Sequence, residues 1–398
     1  MANIYEVFRR TSSLVAGMLL LSGTGLAKAI EYRGFVELEN NRYPVWAANT
    51  KQVDQERAFK LRLDASYRTG TDMAFGMRAF VRKDAYNKDR DVARFDELWG
   101  QYAVPQWDVR VGNQLVTWGS VESVSPLDIV NPRDYEEDVV EPIKIGIPAV
   151  RVRRGFEEAD ISLYWLPYFE ASRFSGPRSF YSISGGLPNL YPASRWDGSQ
   201  WAARYFHTGG SIDYGISYFR GLERNVKFDF SQAGDMLIGK TFRSQRVGFE
   251  ATMVLGELVL KGEFVYRTTA EEGNRRALLY ALGTEYTISS IWGHSDLTLF
   301  AEYLASSRNV KDIELMQNDF FTAARWNFSD HYKQRIQAGY FWDLDHRQAH
   351  VYRVEYTGSP YENIDAGIRY TYTRDYLPGP HYAEKKDGVL HIFLRNYF

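Results

Sequence analysis

The run Ala58-Phe59-Lys60-Leu61-Arg62-Leu63-Asp64-Ala65-Ser66-Tyr67-Arg68 alternates without a slip. Extended, it puts Phe59, Leu61, Leu63, Ala65 and Tyr67 on one face and Lys60, Arg62, Asp64, Ser66 and Arg68 on the other. A helix, turning about 100° per residue, would mix the two sets. Period two reads as a strand with one face in an apolar medium and the other in a polar one.

The pattern recurs to the end of the chain. Val247, Phe249, Ala251 and Met253 alternate with Arg246, Gly248, Glu250 and Thr252, and Ile364, Ala366, Ile368, Tyr370 and Tyr372 with Asp365, Gly367, Arg369, Thr371 and Thr373. Each run holds roughly 9–13 residues, the length of a tilted strand that crosses a bilayer. The runs fall at 30–38, 55–68, 71–84, 92–105, 107–117, 147–156, 159–169, 199–208, 211–222, 245–256, 257–269, 277–289, 293–305, 317–329, 332–345, 348–358, 362–375 and 387–398. That is an all-β chain, a transmembrane antiparallel β-barrel of about eighteen strands, or sixteen if two weak runs are loop hairpins. Every second connection is tight, at Thr69-Gly70, Gln106, Glu157-Glu158, Gly209-Gly210, Gly256-Glu257, Trp292-Gly293, Ser329-Asp330 and Ser359-Pro360. The others, among them 39–54, 118–146, 170–198 and 223–244, are longer. Short turns on the periplasmic side and long loops outside give this parity.

The 398 residues carry a net charge of -2, which points away from nucleic acid. Aromatics make up 16% and cysteine is absent, while mean hydropathy is only -0.41. Several helical membrane spans would raise that value. A barrel would not, because half of each strand faces the lumen. Residues 1–29 read as a signal peptide: Arg9-Arg10, an apolar run from Leu14 to Leu20, then Ala27-Lys28-Ala29. The apolar run is too short to span about 30 Å of hydrocarbon. The barrel occupies 30–398 as one domain. Its last strand closes on Asn396-Tyr397-Phe398, which resembles the signal read by the outer-membrane barrel-assembly machinery.

Parity turns many charges inward. The lumen candidates are Arg62, Arg78, Arg110, Arg151, Arg153, Arg246, Arg335 and Arg353, together with Arg82, Arg267, Arg325, Arg369 and Arg395. Glu250, Glu263, Glu302, Glu355, Asp64, Asp213 and Asp365 share the face. So many charges suit a wet channel and not a dry core. Arginine outnumbers acid, which favours anionic solutes, with Arg110, Arg151 and Arg153 as the first contacts. The loop after the fifth strand holds Asp128, Asn131, Asp134, Glu136, Glu137 and Asp138 among rigid Pro and Asn-Pro turns. Folded inward, it would set acids opposite wall arginines and narrow the pore. As a surface loop it would do neither. The loop at 170–198 either covers the mouth or is variable surface.

The stretch Gly112-Asn113-Gln114-Leu115-Val116-Thr117-Trp118-Gly119, Leu127-Asp128-Ile129-Val130-Asn131-Pro132-Arg133-Asp134 and Lys144-Ile145-Gly146-Ile147-Pro148 resembles a proteobacterial family of outer-membrane β-barrels of unknown function. Its members carry a similar WG…D…NPxD…lP segment, and many are encoded beside RND-type exporters. A more distant similarity, of strand count and lumen charge, is to the alginate-export barrel. These resemblances imply a Gram-negative outer membrane and translocation of a substrate.

The function expected is a porin-like channel for passive passage of hydrophilic, anionic solutes, or for export of a polymer or amphipathic substrate. Rivals are a non-conducting barrel that partners an envelope export or surface complex, and an enzyme at the rim. The seven His show no metal-ligand or triad spacing, so no catalytic residue, metal or cofactor is assigned. The partners expected are outer-membrane lipid and lipopolysaccharide, the barrel-assembly machinery and an envelope exporter.

Overall fold

The computed structural model describes residues 30–43, 52–179, 182, 187–270, 276–307, 318–346, 349–374 and 386–398. The signal peptide read at 1–29 lies outside them. The described residues form an 18-stranded sheet. Its strands are β1 Ile30–Arg42, β2 Gln55–Thr69, β3 Met73–Asp84, β4 Val92–Val104, β5 Trp107–Gln114 and β6 Ile147–Gly155. Next come β7 Ala159–Trp165, β8 Trp201–His207, β9 Ile212–Leu222, β10 Arg243–Leu255, β11 Leu258–Thr269 and β12 Arg276–Trp292. The last are β13 Ser295–Ser306, β14 Asn318–Asn327, β15 Arg335–Asp343, β16 His350–Tyr361, β17 Ile364–Arg374 and β18 Lys386–Tyr397. Each strand pairs antiparallel with the next. β18 returns to β1 from Phe35 opposite Tyr397 to Arg42 opposite Leu390, so the sheet closes and keeps no open edge. Eighteen, not sixteen, is the count.

One rim carries connections of a few residues, such as 70–72, 105–106, 256–257 and 362–363. The other carries 43–54, 115–146, 166–200 and 223–242. The parity read from sequence holds. One turn is misplaced: Ser359 and Pro360 belong to β16, where the register shifts between Gly358 and Tyr361. Proline has no N–H for the ladder and sits at such an irregularity, so the chain reverses at 362–363 instead.

The outer face is apolar. Val109, Leu163, Ile216, Phe249, Leu282 and Ile368 are all exposed at mid-strand. Trp107, Trp292 and Tyr361 ring the short-turn rim, and Trp165, Trp201 and Trp342 the long-loop rim. Such an apolar band between aromatic girdles is built for hydrocarbon, and the chain is an outer-membrane barrel. Replacing Phe249 by Arg, at mid-height of β10, should lower stability by about 2–4 kcal/mol in urea titrations of the vesicle-embedded barrel. Phe249→Leu should change it by less than about 1 kcal/mol. Equal stability of the Arg variant would contradict a lipid-facing position.

Candidate functional site: a loop pinned across the lumen

The 115–146 loop folds inward. Its base is clasped by Asn131, whose Oδ1 accepts from Val116 N at 2.7 Å and whose Nδ2 donates to Gln114 O at 3.0 Å and Ile145 O at 2.8 Å. A two-residue ladder, Arg133–Asp134 against Ile143–Lys144, extends the clasp. Trp118, Leu127 and Val130 are buried against Ile147, Tyr164, Phe219, Val265 and Leu279. Gly248 leaves the space that Leu127 fills, since a side chain there would collide with it. Two sequence expectations change here. Asn131 acts as a structural clasp at the loop's base. Asp128 pairs with Arg133 and Lys144 of its own loop, each at 2.7 Å, and not with the wall.

Beyond Trp118 the loop backbone meets wall carboxylates. Gly119 N donates to Glu250 at 3.2 Å. Ser120 N and Val121 N donate to Glu263 at 2.5 and 3.0 Å. Glu122 N and Ser123 N donate to Glu302 at 2.7 and 3.0 Å. Gly119 has φ +92°, and a Cβ there would collide with Ser125 and press on Glu263, so only glycine turns the chain here. Glu250 and Glu263 stand directly opposite each other on β10 and β11. Two facing carboxylates repel. The loop's N–H groups, and Arg204 at 2.7 Å from Glu250, supply what they need.

The acids of the loop's tip reach the other wall. Lys60 and Arg82 face each other across β2 and β3, a like-charge pair. Glu137 bridges them, an ion pair to each. Asp134 binds Arg94 at 2.7 Å and Arg82 at 3.4 Å. Asp138 takes Arg353 at 2.7 Å and Arg369 at 2.8 Å on β16 and β17. One loop thus touches opposite sides of the barrel. The acids that were expected opposite wall arginines meet wall cations in direct contact at these points.

Glu136 differs. It turns toward the 166–200 loop, accepting from Ser179 Oγ at 2.6 Å and Gly176 N at 2.5 Å. That second loop is therefore a brace: Tyr135 N donates to Arg173 O and Arg173 N to Arg133 O, both at 2.8 Å. Its Phe180 and Tyr181 lie outside the described residues. Burial pushes the Glu136 carboxyl up to about 7; Glu56 adds to the rise, while the Ser179 and Gly176 bonds and Arg82 oppose it. Burial would raise Glu137 too, but Lys60 and Arg82 outweigh it and hold it at about 2. Asp138 is held well below its ordinary value by Arg353 and Arg369 against the same burial.

The remaining arginines singled out from sequence are mostly wall. Arg62 and Arg78 both bind Asp64, at 2.9 and 2.7 Å. Arg110 binds Gln101 at 2.6 Å and lies 3.9 Å over Trp99. Arg151 pairs with Asp108, and Arg153 reaches Asp160 at 3.4 Å. Arg246 binds Glu223 at 2.7 Å, and Arg335 reaches Glu355 at 3.6 Å. Arg110, Arg151 and Arg153 are thus engaged by side chains of the wall, with Arg153 the most exposed of the three. Sequence reasoning overlooked Lys60, Arg90 and Arg94. Arg90 is fully buried, held by Glu39 at 2.7 Å, Asp84 at 2.9 Å and Glu56 at 3.1 Å. It stands in a short 3-10 helix, Lys88–Arg90, outside any alternating run.

Space remains on one side of the loop. A cavity of about 500 Å³ lies between 135–143 and the wall of β1, β2 and β15 to β18. Nine carboxylates line it, from Glu37 and Glu39 to Glu355 and Asp365, against five Lys and Arg: Lys60, Arg335, Arg353, Arg369 and Arg395. The arginine excess read from strand parity does not carry into this space. Among the described residues no group of His, Asp and Glu is arranged to hold a metal ion.

Two measurements probe these contacts. Glu137→Gln removes the one carboxylate that bridges Lys60 and Arg82, leaving Glu37 and Glu39 on Lys60 and the longer Asp134 contact on Arg82, and should cost about 3 kcal/mol in urea titration. For pH, the raised value of Glu136 gives stability that is complete below its unfolded value of about 4.3 and lost as pH rises through about 7. Glu137 and Asp138 have the opposite sign: their contribution is present above about 4 and lost as pH falls toward 2. Amide exchange in 133–145, corrected for its intrinsic pH dependence, should therefore quicken between pH 6 and 8, and Glu136→Gln should remove that rise.

No protein-family model and no curated protein matches the chain by sequence. Solved outer-membrane barrels match it by fold. OccK11 (OpdR) of Pseudomonas aeruginosa aligns with a TM-score of 0.56 at 8% identity, over 93% of this chain and 96% of that one. A loop-deletion mutant of OmpT, an outer membrane protein of Vibrio cholerae, aligns at 0.46 and 9% identity, over 93% and 99%. A mutant of the Rh. blastica porin aligns at 0.45 and 12% identity, over 93% and 100%. At 8% identity the likeness to OccK11 is one of architecture: a closed antiparallel outer-membrane barrel.

Proposed function

We propose that the chain is a channel of the Gram-negative outer membrane, narrowed by the 115–146 loop, that passes small hydrophilic solutes without cofactor or energy. The observation that carries this reading is the cavity of about 500 Å³ left between the loop tip and the wall, lined mostly by charged and polar groups. Water-filled space of this kind hydrates ions and polar solutes and repels apolar ones. With nine carboxylates against five Lys and Arg, it favours cationic or zwitterionic solutes over the anionic ones that strand parity suggested. The stretch that resembles the exporter-linked barrel family, 112–148, is the lumen loop itself with the strand ends that hold it. That coincidence supports a family likeness centred on the constriction.

A second reading has one observation in its favour. The loop is anchored on both sides of the barrel, by Glu250, Glu263 and Glu302 on one and by Arg353 and Arg369 on the other. A barrel so braced would suit a shut partner of an envelope complex, opened when that partner moves the loop.

Planar-bilayer recordings distinguish the two. The wild-type barrel should give small, weakly cation-selective steps, and deletion of 119–146 should enlarge them severalfold. Silence of both proteins would end the channel reading, and a partner that co-purifies in fixed ratio would then support the second.

A further inference from the structure

The outward face holds a feature that the lumen does not use. One register row crosses β7 to β12 at the long-loop rim: Trp165, Trp201, Arg220, Gln245, Thr268 and Arg276, each directly opposite the next. The next outward row toward the short turns is Leu163, Ala203, Tyr218, Val247, Tyr266 and Leu278, with no charge in it. Polarity therefore changes within two residues along each strand, about 7 Å. That step marks the upper edge of the apolar band, and the upper row lies at the level of lipid headgroups.

At that level Arg220 and Arg276 are exposed and make no ion pair among the described residues, whereas three other outward cations of the same rim are engaged. Lys83 binds Asp91 at 2.9 Å, Arg243 binds Asp197 at 2.7 Å, and Arg57 reaches Asn40 at 3.3 Å. A guanidinium at the membrane interface, with lipid below it, calls for an anion, and phosphate fits its fork. Three strand spacings separate Arg220 from Arg276, about 14 Å. Gln245 and Thr268 lie between them with an amide and a hydroxyl to offer. Two cations at that separation, with neutral hydrogen-bonding groups between, match one headgroup bearing two phosphates on a sugar core.

We propose that this row is a docking site for the diphosphorylated headgroup of lipopolysaccharide. Arg220 and Arg276 each take one phosphate. Gln245 and Thr268 bond sugar hydroxyls between them. The acyl chains lie over the Leu163 to Leu278 row, and the tilted Trp165–Trp201 pair, centroids 6.3 Å apart, closes one end. The site lies outside the barrel and is independent of whether the lumen conducts.

Native mass spectrometry on the full barrel in detergent tests this, with diphosphoryl lipid A, fully dephosphorylated lipid A and phosphatidylglycerol as probes. One diphosphoryl lipid A should bind per barrel. Removing both phosphates should weaken it about a hundredfold, and Arg220→Gln or Arg276→Gln about tenfold each, as loss of a charge-assisted contact implies. Arg57→Gln, on the far side of the barrel, should leave it unchanged. The dephosphorylated probe acts on wild-type protein, so the test stands even if a variant folds poorly. Equal binding of the two lipid A forms, or phosphatidylglycerol binding as tightly as diphosphoryl lipid A, would overturn the proposal.

Discussion

Like charges face each other on the inner wall, and much of the interior follows from that. Lys60 faces Arg82, Glu250 faces Glu263, and Arg246 faces Arg267, each pair fixed by the register of adjacent strands. A strand cannot slip to relieve them, because a one-residue shift would turn its lipid face into the lumen. Nearby strands supply part of the counter-charge, Glu37 and Glu39 to Lys60 and Arg204 to Glu250, and the other counter-charges must come from outside the sheet. Loops bring them: Glu137 to the first pair, backbone N–H groups of 119–121 to the second, Glu223 to the third. The hydrophobic demand on the outer face thus sets the register, the register sets the charge conflicts, and the conflicts set where the loops lie.

This hierarchy explains what was legible in the sequence. Strand number, closure and the sorting of loops by length all follow from period two, which is local. Placing a loop acid is not local. Asp128 and Asp134 look alike in the sequence, six residues apart, yet one bonds within its loop and the other crosses to Arg94. Asn131 reads as one more polar loop residue, but its side chain replaces three missing backbone partners. One signal was present and unread. Ala202, Phe219, Val265, Ala277 and Leu279 are apolar on the inward face, where alternation calls for polar residues. An apolar stretch of lumen wall needs a cover, and these positions mark where the loop sits.

The arginine bias failed for a related reason. Parity assigns a side chain to the lumen but not to the water in it. Arg82 and Arg90 are inward or loop-borne and fully buried, Arg62 is spent on an acid of its own strand, and Arg78 and Arg151 on acids of neighbouring strands. Formal charge summed along strands counts these pairs as if they faced a solute. What a solute meets is the remainder, and there carboxylates of the loop tip are added to those of β1, β16 and β17.

The loop is consequently made of two unlike halves. From 115 to 132 it is held by packing of Trp118, Leu127 and Val130 and by bonds from buried N–H groups. Apolar burial is nearly indifferent to pH and is not weakened by charge screening. From 134 to 141 it is held by Asp134, Glu137 and Asp138 on wall cations, beside a polar cavity. Ion pairs bordering water weaken with ionic strength and with protonation. A rise in ionic strength therefore acts first on the tip, whereas acid acts on the tip and also on the wall carboxylates that hold 119–123. The tip also borders the cavity of about 500 Å³, so the width of the lumen there depends on contacts that respond to salt and pH.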